Sequence, residues 1–215
     1  GGDVNKVVYT GGISPQGNPL SDYTYEYNRI RRINEFLYGL KTYAKYGDQE
    51  KLIMEAQARF FRAYLYFMLV RGHGSVVIRD NIDGPNEAFK ERSPESACWD
   101  FIESDLDFAA ENLPDTWPKK DLGRITKGAV YGFKSRAMLY AKRWDKAADA
   151  AAKVVAKEGE LYDLMPNYAD VFNQPDFCKE TVLGYRFHGQ LTHSTLFDKQ
   201  YSPKGDFPET NTDGK

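Results

Sequence analysis

Apolar residues recur at helical spacing over most of the first three quarters of the chain. Between Asp22 and Leu40, the positions Tyr23, Tyr27, Ile30, Ile33, Leu37 and Leu40 step by three and four, the period of one helix face. Gly47-Asp48 interrupts the run, and Asp48 is the expected N-cap of a second helix reaching about Val70. There Leu52, Ala56, Phe60, Ala63, Phe67 and Val70 form one stripe, which Phe61, Leu65 and Met68 widen. A helix apolar over so much of its circumference belongs at the centre of a fold. Gly72-His73-Gly74 ends it, and Val76-Val77-Ile78 reads as a short strand. Ser93-Pro94-Glu95 opens a third helix: serine to cap, proline for the first turn, glutamate for the positive end of the dipole. Its expected buried face is Ala97, Phe101, Leu106, Ala109 and Leu113, and Pro114 stops it. Thr126 caps a fourth helix running to about Lys142, and a turn at Arg143-Trp144-Asp145 leads into a fifth reaching about Glu158.

Two amphipathic helices joined by so short a turn must lie antiparallel. Ala147, Ala151 and Val154 are small, so the fifth helix can approach the fourth closely, the mark of a tetratricopeptide-type hairpin. Arg62-Ala63-Tyr64-Leu65-Tyr66 and Arg136-Ala137-Met138-Leu139-Tyr140 share R-A-x-L-Y at an offset of 74 residues, a little over two repeats of about 34. The pattern predicts an all-α fold of tetratricopeptide-like repeats with long loops and minor short strands. The helical core covers about 22–158 and a loop-rich part covers 159–215. Within that part Tyr168 to Phe172 reads as a helical turn and Glu180 to Phe187 as a strand.

With 215 residues and a 41% apolar share the chain can bury a sizeable core as one domain. Its 29 basic and 31 acidic residues leave a net charge of −2, which argues against a nucleic-acid footprint. The longest uninterrupted apolar stretch, Ala63 to Val70, is eight residues, far short of a membrane span. Cys98 and Cys178 read as separate thiols, with a single bridge as the alternative in an oxidising compartment. The chain opens Gly-Gly without a leader, as expected of a fragment or of a chain whose signal segment has been removed.

No phosphate-binding loop, dinucleotide fingerprint or nucleophile elbow is present. His73, His188 and His193 lack metal-ligand spacing, and Asp80, Asp83 and Glu87 read as solvated loop acids, so no catalytic or metal residue is expected. What stands out is 15 Tyr, 13 Phe and 3 Trp. Sugar rings stack on aromatic faces while polar neighbours take the hydroxyls. Such a site needs aromatics in loops, away from the helical stripes, which selects Tyr9, Tyr23, Tyr25, Trp117 and Tyr201, with Phe207 beside them. Phe60, Tyr64, Phe67, Tyr131 and Tyr140 lie at helix spacing and read as core; Trp144 reads as a wedge in the hairpin turn. Arg62 and Arg136 read as solvated or helix-bridging rather than as ligand clamps.

The run Glu55-Ala56-Gln57-Ala58-Arg59-Phe60-Phe61-Arg62-Ala63-Tyr64-Leu65-Tyr66-Phe67-Met68-Leu69-Val70 resembles the hallmark helix of the SusD/RagB family of Bacteroidota. Gly123-Arg124-Ile125-Thr126 resembles that family's G-R-x-T helix start, Ile30 to Asn34 its I-x-x-x-N helix, and Glu180-Thr181-Val182-Leu183 its E-x-I strand. The resemblance implies a single domain of tetratricopeptide-like helix pairs, held to the outer-membrane surface by an N-terminal lipid anchor not present in this chain. It also implies a SusC-like TonB-dependent transporter as partner and a glycan or peptide as ligand, with neither catalysis nor an obligatory cofactor, although some members hold calcium. Family members are usually more than twice this length, so the part after the second hairpin reads as truncated. A generic tetratricopeptide scaffold is the alternative, and a glycan hydrolase a more distant one.

Overall fold

A computed structural model describes residues 23–82, 89–173 and 178–184, and there the apolar stripes become helices. All of these residues but Gly184 belong to one unit, Gly1–Leu183. In chain order the helices are α1 (Tyr23–Thr42), α2 (Asp48–His73), α3 (Glu95–Asn112), a 3-10 turn (Lys119–Asp121), α4 (Lys127–Tyr140), α5 (Trp144–Val155) and the single turn α6 (Asp170–Asn173). Each of the first four packs on the next long helix, and α2 also touches α4. The result is an all-α, tetratricopeptide-like stack. As the breadth of its stripe requires, α2 is central: Ala56, Phe60, Ala63, Tyr66 and Leu69 are buried among Ile30 of α1, Ile102 and Leu106 of α3, and Val130 and Met138 of α4.

The helix ends follow local chemistry with small shifts. Gly47, not Asp48, occupies the cap position of α2, and Asp48 begins the helix. The helix runs three residues past Val70 and stops where Gly74 adopts φ 66° and donates its N–H to Val70 O at 2.8 Å. Ser93 does not cap α3; Pro94 takes that place, and the Ser93 N–H goes to Val76 O at 2.8 Å. Thr126 caps α4 as expected, its hydroxyl accepting from Ala129 N at 3.2 Å. Lys142 then turns the chain with φ 59°, while the N–H groups of Lys142 and Arg143 bond Leu139 O and Met138 O, a Schellman end with lysine where glycine is usual. This turn ends α4 at Tyr140 and makes Trp144 the first residue of α5. Trp144 is therefore exposed rather than wedged in the turn. Ala147 and Ala150 supply the close approach of the hairpin, with Ala151 and Val154 half-buried behind them.

Neither expected strand forms among the described residues. Val76 to Ile78 is extended, but apart from the Ser93 N–H on Val76 O the bonds of this segment and of the residues after it go to side chains. Val77 O accepts from Tyr27 Oη at 2.7 Å, and Arg79 N donates to Tyr66 Oη at 2.7 Å. Asn34 Nδ2 reaches Arg79 O and Asn81 O at 2.9 and 3.1 Å, and Arg62 Nη1 reaches Asp80 O at 3.0 Å. Residues 180–184 form a turn and a bend, with the Glu180 carboxylate accepting from Met165 N at 2.8 Å; the rest of that expected strand lies outside the described residues.

The side chains holding this segment meet in a buried network. Arg62 donates to both Asp105 carboxylate oxygens at 2.7 and 2.8 Å and to Asn34 Oδ1 at 2.9 Å. Arg62 thus bridges α1, α2 and α3, whereas Arg136, its counterpart in the repeated letters, is exposed. Burial works against the Arg62 charge, and Asp105 more than offsets it, so the guanidinium stays protonated more firmly than usual. Burial also leaves the Asp105 carboxyl above its ordinary range, despite the pull of Arg62 and Arg59.

Candidate functional site

Helix α1 buries Glu26, Ile30, Asn34 and Leu40 against the rest of the stack. At 100° per residue, Tyr25, Arg29, Arg32, Phe36 and Gly39 fall within a sector of about 80°, centred about 120° around the helix from that buried face. Tyr43 extends the line, its N–H bonded to Gly39 O at 2.9 Å. Tyr25 is 54% exposed, Phe36 47% and Tyr43 71%, so all three rings present open faces or edges. The Arg29 guanidinium lies 3.9 Å from the centre of the Tyr25 ring and 3.8 Å from Glu26. Arg32 is exposed, with no ion pair or side-chain hydrogen bond among the described residues. On the flank of the stripe Arg31 holds Glu35 at 2.9 Å, and Tyr38 stands edge-on to Tyr43 at 6.1 Å. Donation of the Tyr43 hydroxyl to Tyr38 pushes the Tyr43 phenol up in pKa.

Gly39 is the odd member of this stripe. A Cβ there would have no atom within 4 Å, and the residue is helical. The fold therefore does not require glycine, which costs a helix interior about 0.5–1 kcal/mol relative to alanine. Its effect is a saddle in the helix surface between Phe36 and Tyr43.

The residues selected from sequence are placed as follows. Tyr23 and Tyr25 stand in the first turn of α1, not in a loop. Tyr23 is half-buried, its ring 4.7 Å from Tyr27 and edge-on to His73 at 5.3 Å. Trp117 lies between α3 and α4, its Nε1 donating to Ile125 O at 2.8 Å and its face covered by the Arg124 guanidinium at 4.1 Å. Arg124 in turn bonds Gln57 Oε1 at 3.1 Å. His73 and Gln57 are separated by about 24 Å of helix, so Tyr23 and Trp117 stand far apart along α2 and are not brought together. Tyr9, Tyr201 and Phe207 lie outside the described residues. Phe36, Tyr38 and Tyr43 were not selected from sequence, although they sit off the buried stripe of α1. Tyr64 and Tyr140, expected in the core, are instead 38% and 50% exposed. Their rings cover Phe133 and Phe67 from outside, at 5.4 and 5.1 Å.

A second surface feature is a shallow, open groove of about 420 Å³ lined by Arg59, Asp100, Glu103, Ser104, Asp107, Phe108 and Glu111. Most of its acids already have partners. Arg143 bonds Asp100 and Glu103 at 2.6 Å each, Lys146 bonds Glu103 at 2.7 Å, and Lys134 bonds Asp107. Burial would raise the Glu103 carboxyl, but Lys146 and Arg143 reverse this and hold it below the usual carboxylate range. The groove is lined by α3 and by Arg59 of α2, and most of its acids are engaged by the α4–α5 hairpin. Among the described residues no three His, Cys, Asp or Glu gather as a metal site. No described helix is long and apolar enough to cross a membrane.

Residues 4–139 match the model of a SusD-like family described as starch-binding and associating with the outer membrane. A SusD-like protein of Bacteroides ovatus is 27% identical over 184 residues, covering 80% of this chain and 30% of the relative. SusD-like protein P2 of Formosa agariphila is 32% identical over 155 residues, 68% of this chain and 30% of the relative. Among solved structures, a SusD-like protein of Bacteroides fragilis superposes with a TM-score of 0.73 at 28% identity, over 80% of this chain and 35% of that one. A laminarin-binding SusD-like protein gives 0.75 at 26% identity, over 83% and 40%. The chain thus spans roughly a third of the length of these relatives.

Proposed function

The chain belongs to the SusD-like family, and from that premise we propose that it captures a glycan at the outer-membrane surface and passes it to a TonB-dependent transporter. The observation that carries this reading is the likeness to the laminarin-binding SusD-like protein over 83% of the chain. The row of open rings on α1 supports it in chemical terms. The C–H face of a pyranose ring can lie on Tyr25 or Phe36 while guanidinium N–H groups take up its oxygens. Trp117, with Arg124 across its face, is the second proposed sugar-contacting ring. In this reading the protein binds and releases its ligand without cleaving it.

Two measurements test the proposal. Electrophoresis of the chain through native gels containing laminarin or another soluble polysaccharide is expected to show retardation that free oligosaccharide reverses. Affinity capture from detergent-solubilised outer membranes is expected to recover a large β-barrel transporter. Recovery of soluble partners only, with no retardation by any polysaccharide, would overturn the reading in favour of a protein-interaction scaffold.

A further inference from the structure

The α1 track carries charge as well as rings. Its exposed cations are Arg29, Arg31, Arg32 and Lys41, against one exposed acid, Glu35, which lies on the flank and is held by Arg31 at 2.9 Å. The sector Tyr25, Arg29, Arg32, Phe36, Gly39, Tyr43 itself contains two arginines and no acid, on a chain whose net charge is −2. A neutral sugar offers hydroxyls that both donate and accept. Guanidinium groups only donate, in a fork matched to carboxylate and sulfate oxygens.

We propose that the outward face of α1 is a track for an anionic polysaccharide, whose carboxylate or sulfate groups meet Arg29 and Arg32 and whose sugar rings lie on Tyr25, Phe36 and Tyr43. This rests on the glycan-capture reading and adds the class of glycan. Both cations are placed for the task. Arg29 is held over the Tyr25 ring at 3.9 Å, and Arg32 has no partner among the described residues that an incoming anion would have to displace. The rings are spread along about 27 Å of helix surface, a length suited to a chain ligand rather than to one sugar. Gly39, where no side chain is needed for packing, leaves room for that chain to pass between Phe36 and Tyr43. An acidic polypeptide would satisfy the arginines equally well, but it has no use for the widely spaced rings.

The test is affinity electrophoresis and titration calorimetry of the 215-residue chain against polygalacturonate, dextran sulfate, laminarin and poly-L-glutamate. The expected result is tighter binding of polygalacturonate or dextran sulfate than of laminarin; which of the two wins separates carboxylate from sulfate recognition. Affinity should fall with salt on a log–log slope of about −1 to −2, as for release of one or two counterions. The double variant R29Q/R32Q should weaken binding about tenfold or more with helical circular dichroism unchanged, R29K/R32K should lie between it and the native chain, and F36A should weaken it several-fold. Retention by laminarin alone, indifferent to R29Q/R32Q, overturns the anionic class and leaves glycan capture standing. Retention by none of the polysaccharides overturns both. Poly-L-glutamate binding as tightly as the polysaccharides, with F36A silent, overturns the track as a sugar site.

Discussion

Arg62 and Arg136 occupy the same place in the same five-letter run, yet one is buried and the other is in water. The difference is made by Asp105, 43 residues away, whose carboxylate takes two of the Arg62 N–H groups. Removing one partner of such a pair strands a buried charge. Arg62→Ala should cost about 3–5 kcal/mol, read as a lower urea midpoint, and should free residues 76–82 because Asp80 O and Asn34 lose their donor. The double change R62M/D105L should cost far less than the single change, since no unpaired charge remains. A double variant no more stable than R62A would show that the pair is worth only its packing. Cys98 gives a second prediction at this scale. It is fully buried and free, and burial pushes its thiol pKa up, so a disulfide-exchange reagent should label it only at the rate at which the fold opens. Prompt labelling in native buffer would contradict the packing.

The five long helices were legible in the sequence because helix periodicity is a local signal: both the stripe and the residues that interrupt it lie within one window. The strands were not legible. Val76 to Ile78 has the composition of a strand, but Val77 O is taken by Tyr27 and Tyr66, and the residues that follow, Arg79 and Asp80, by Asn34 and Arg62, from 11 to 50 residues upstream. No local pattern shows such donors. Two glycines make the same point with opposite signs. At Gly128 a Cβ would sit 2.1 Å from Tyr162 Oη and 2.8 Å from its ring. Gly128→Ala must therefore displace Tyr162, costing about 1–3 kcal/mol and speeding hydrogen exchange around Gly159, whose N–H bonds Tyr162 O at 2.8 Å. At Gly39 nothing stands in the way, so Gly39→Ala should raise stability by about 0.5–1 kcal/mol. Equal effects of the two changes on the thermal midpoint would refute both assignments.

On the scale of the whole molecule, the stack depends on seams between helix pairs, and these set what could be read of the site. Tyr25, expected in a loop, is an exposed ring in the first turn of α1. Phe36 lies off the same apolar stripe, but an exposed aromatic on a helix looks the same in sequence as a buried one until the neighbours are placed. Tyr64 and Tyr140 erred in the opposite direction for the same reason. The seam most open to test is the one at Glu103, which joins α3 to Arg143 and Lys146 of the α4–α5 hairpin. Its carboxyl is held below the value it has in the unfolded chain, about 4.3. Near that pH the unfolded chain binds the extra proton first, so stability rises with pH there. The contribution of Glu103 is then complete above that unfolded value and is lost as pH falls through the lower value of the folded chain. Asp105, raised by burial, works in the opposite sense, so the Glu103 share must be isolated by difference. Urea midpoints at pH 7, 5, 4 and 3 should fall more steeply for the native chain than for Glu103→Gln, with the two curves converging at the acid end. Curves that stay parallel across the series would mean that Lys146 and Arg143 contribute nothing to holding the hairpin on α3.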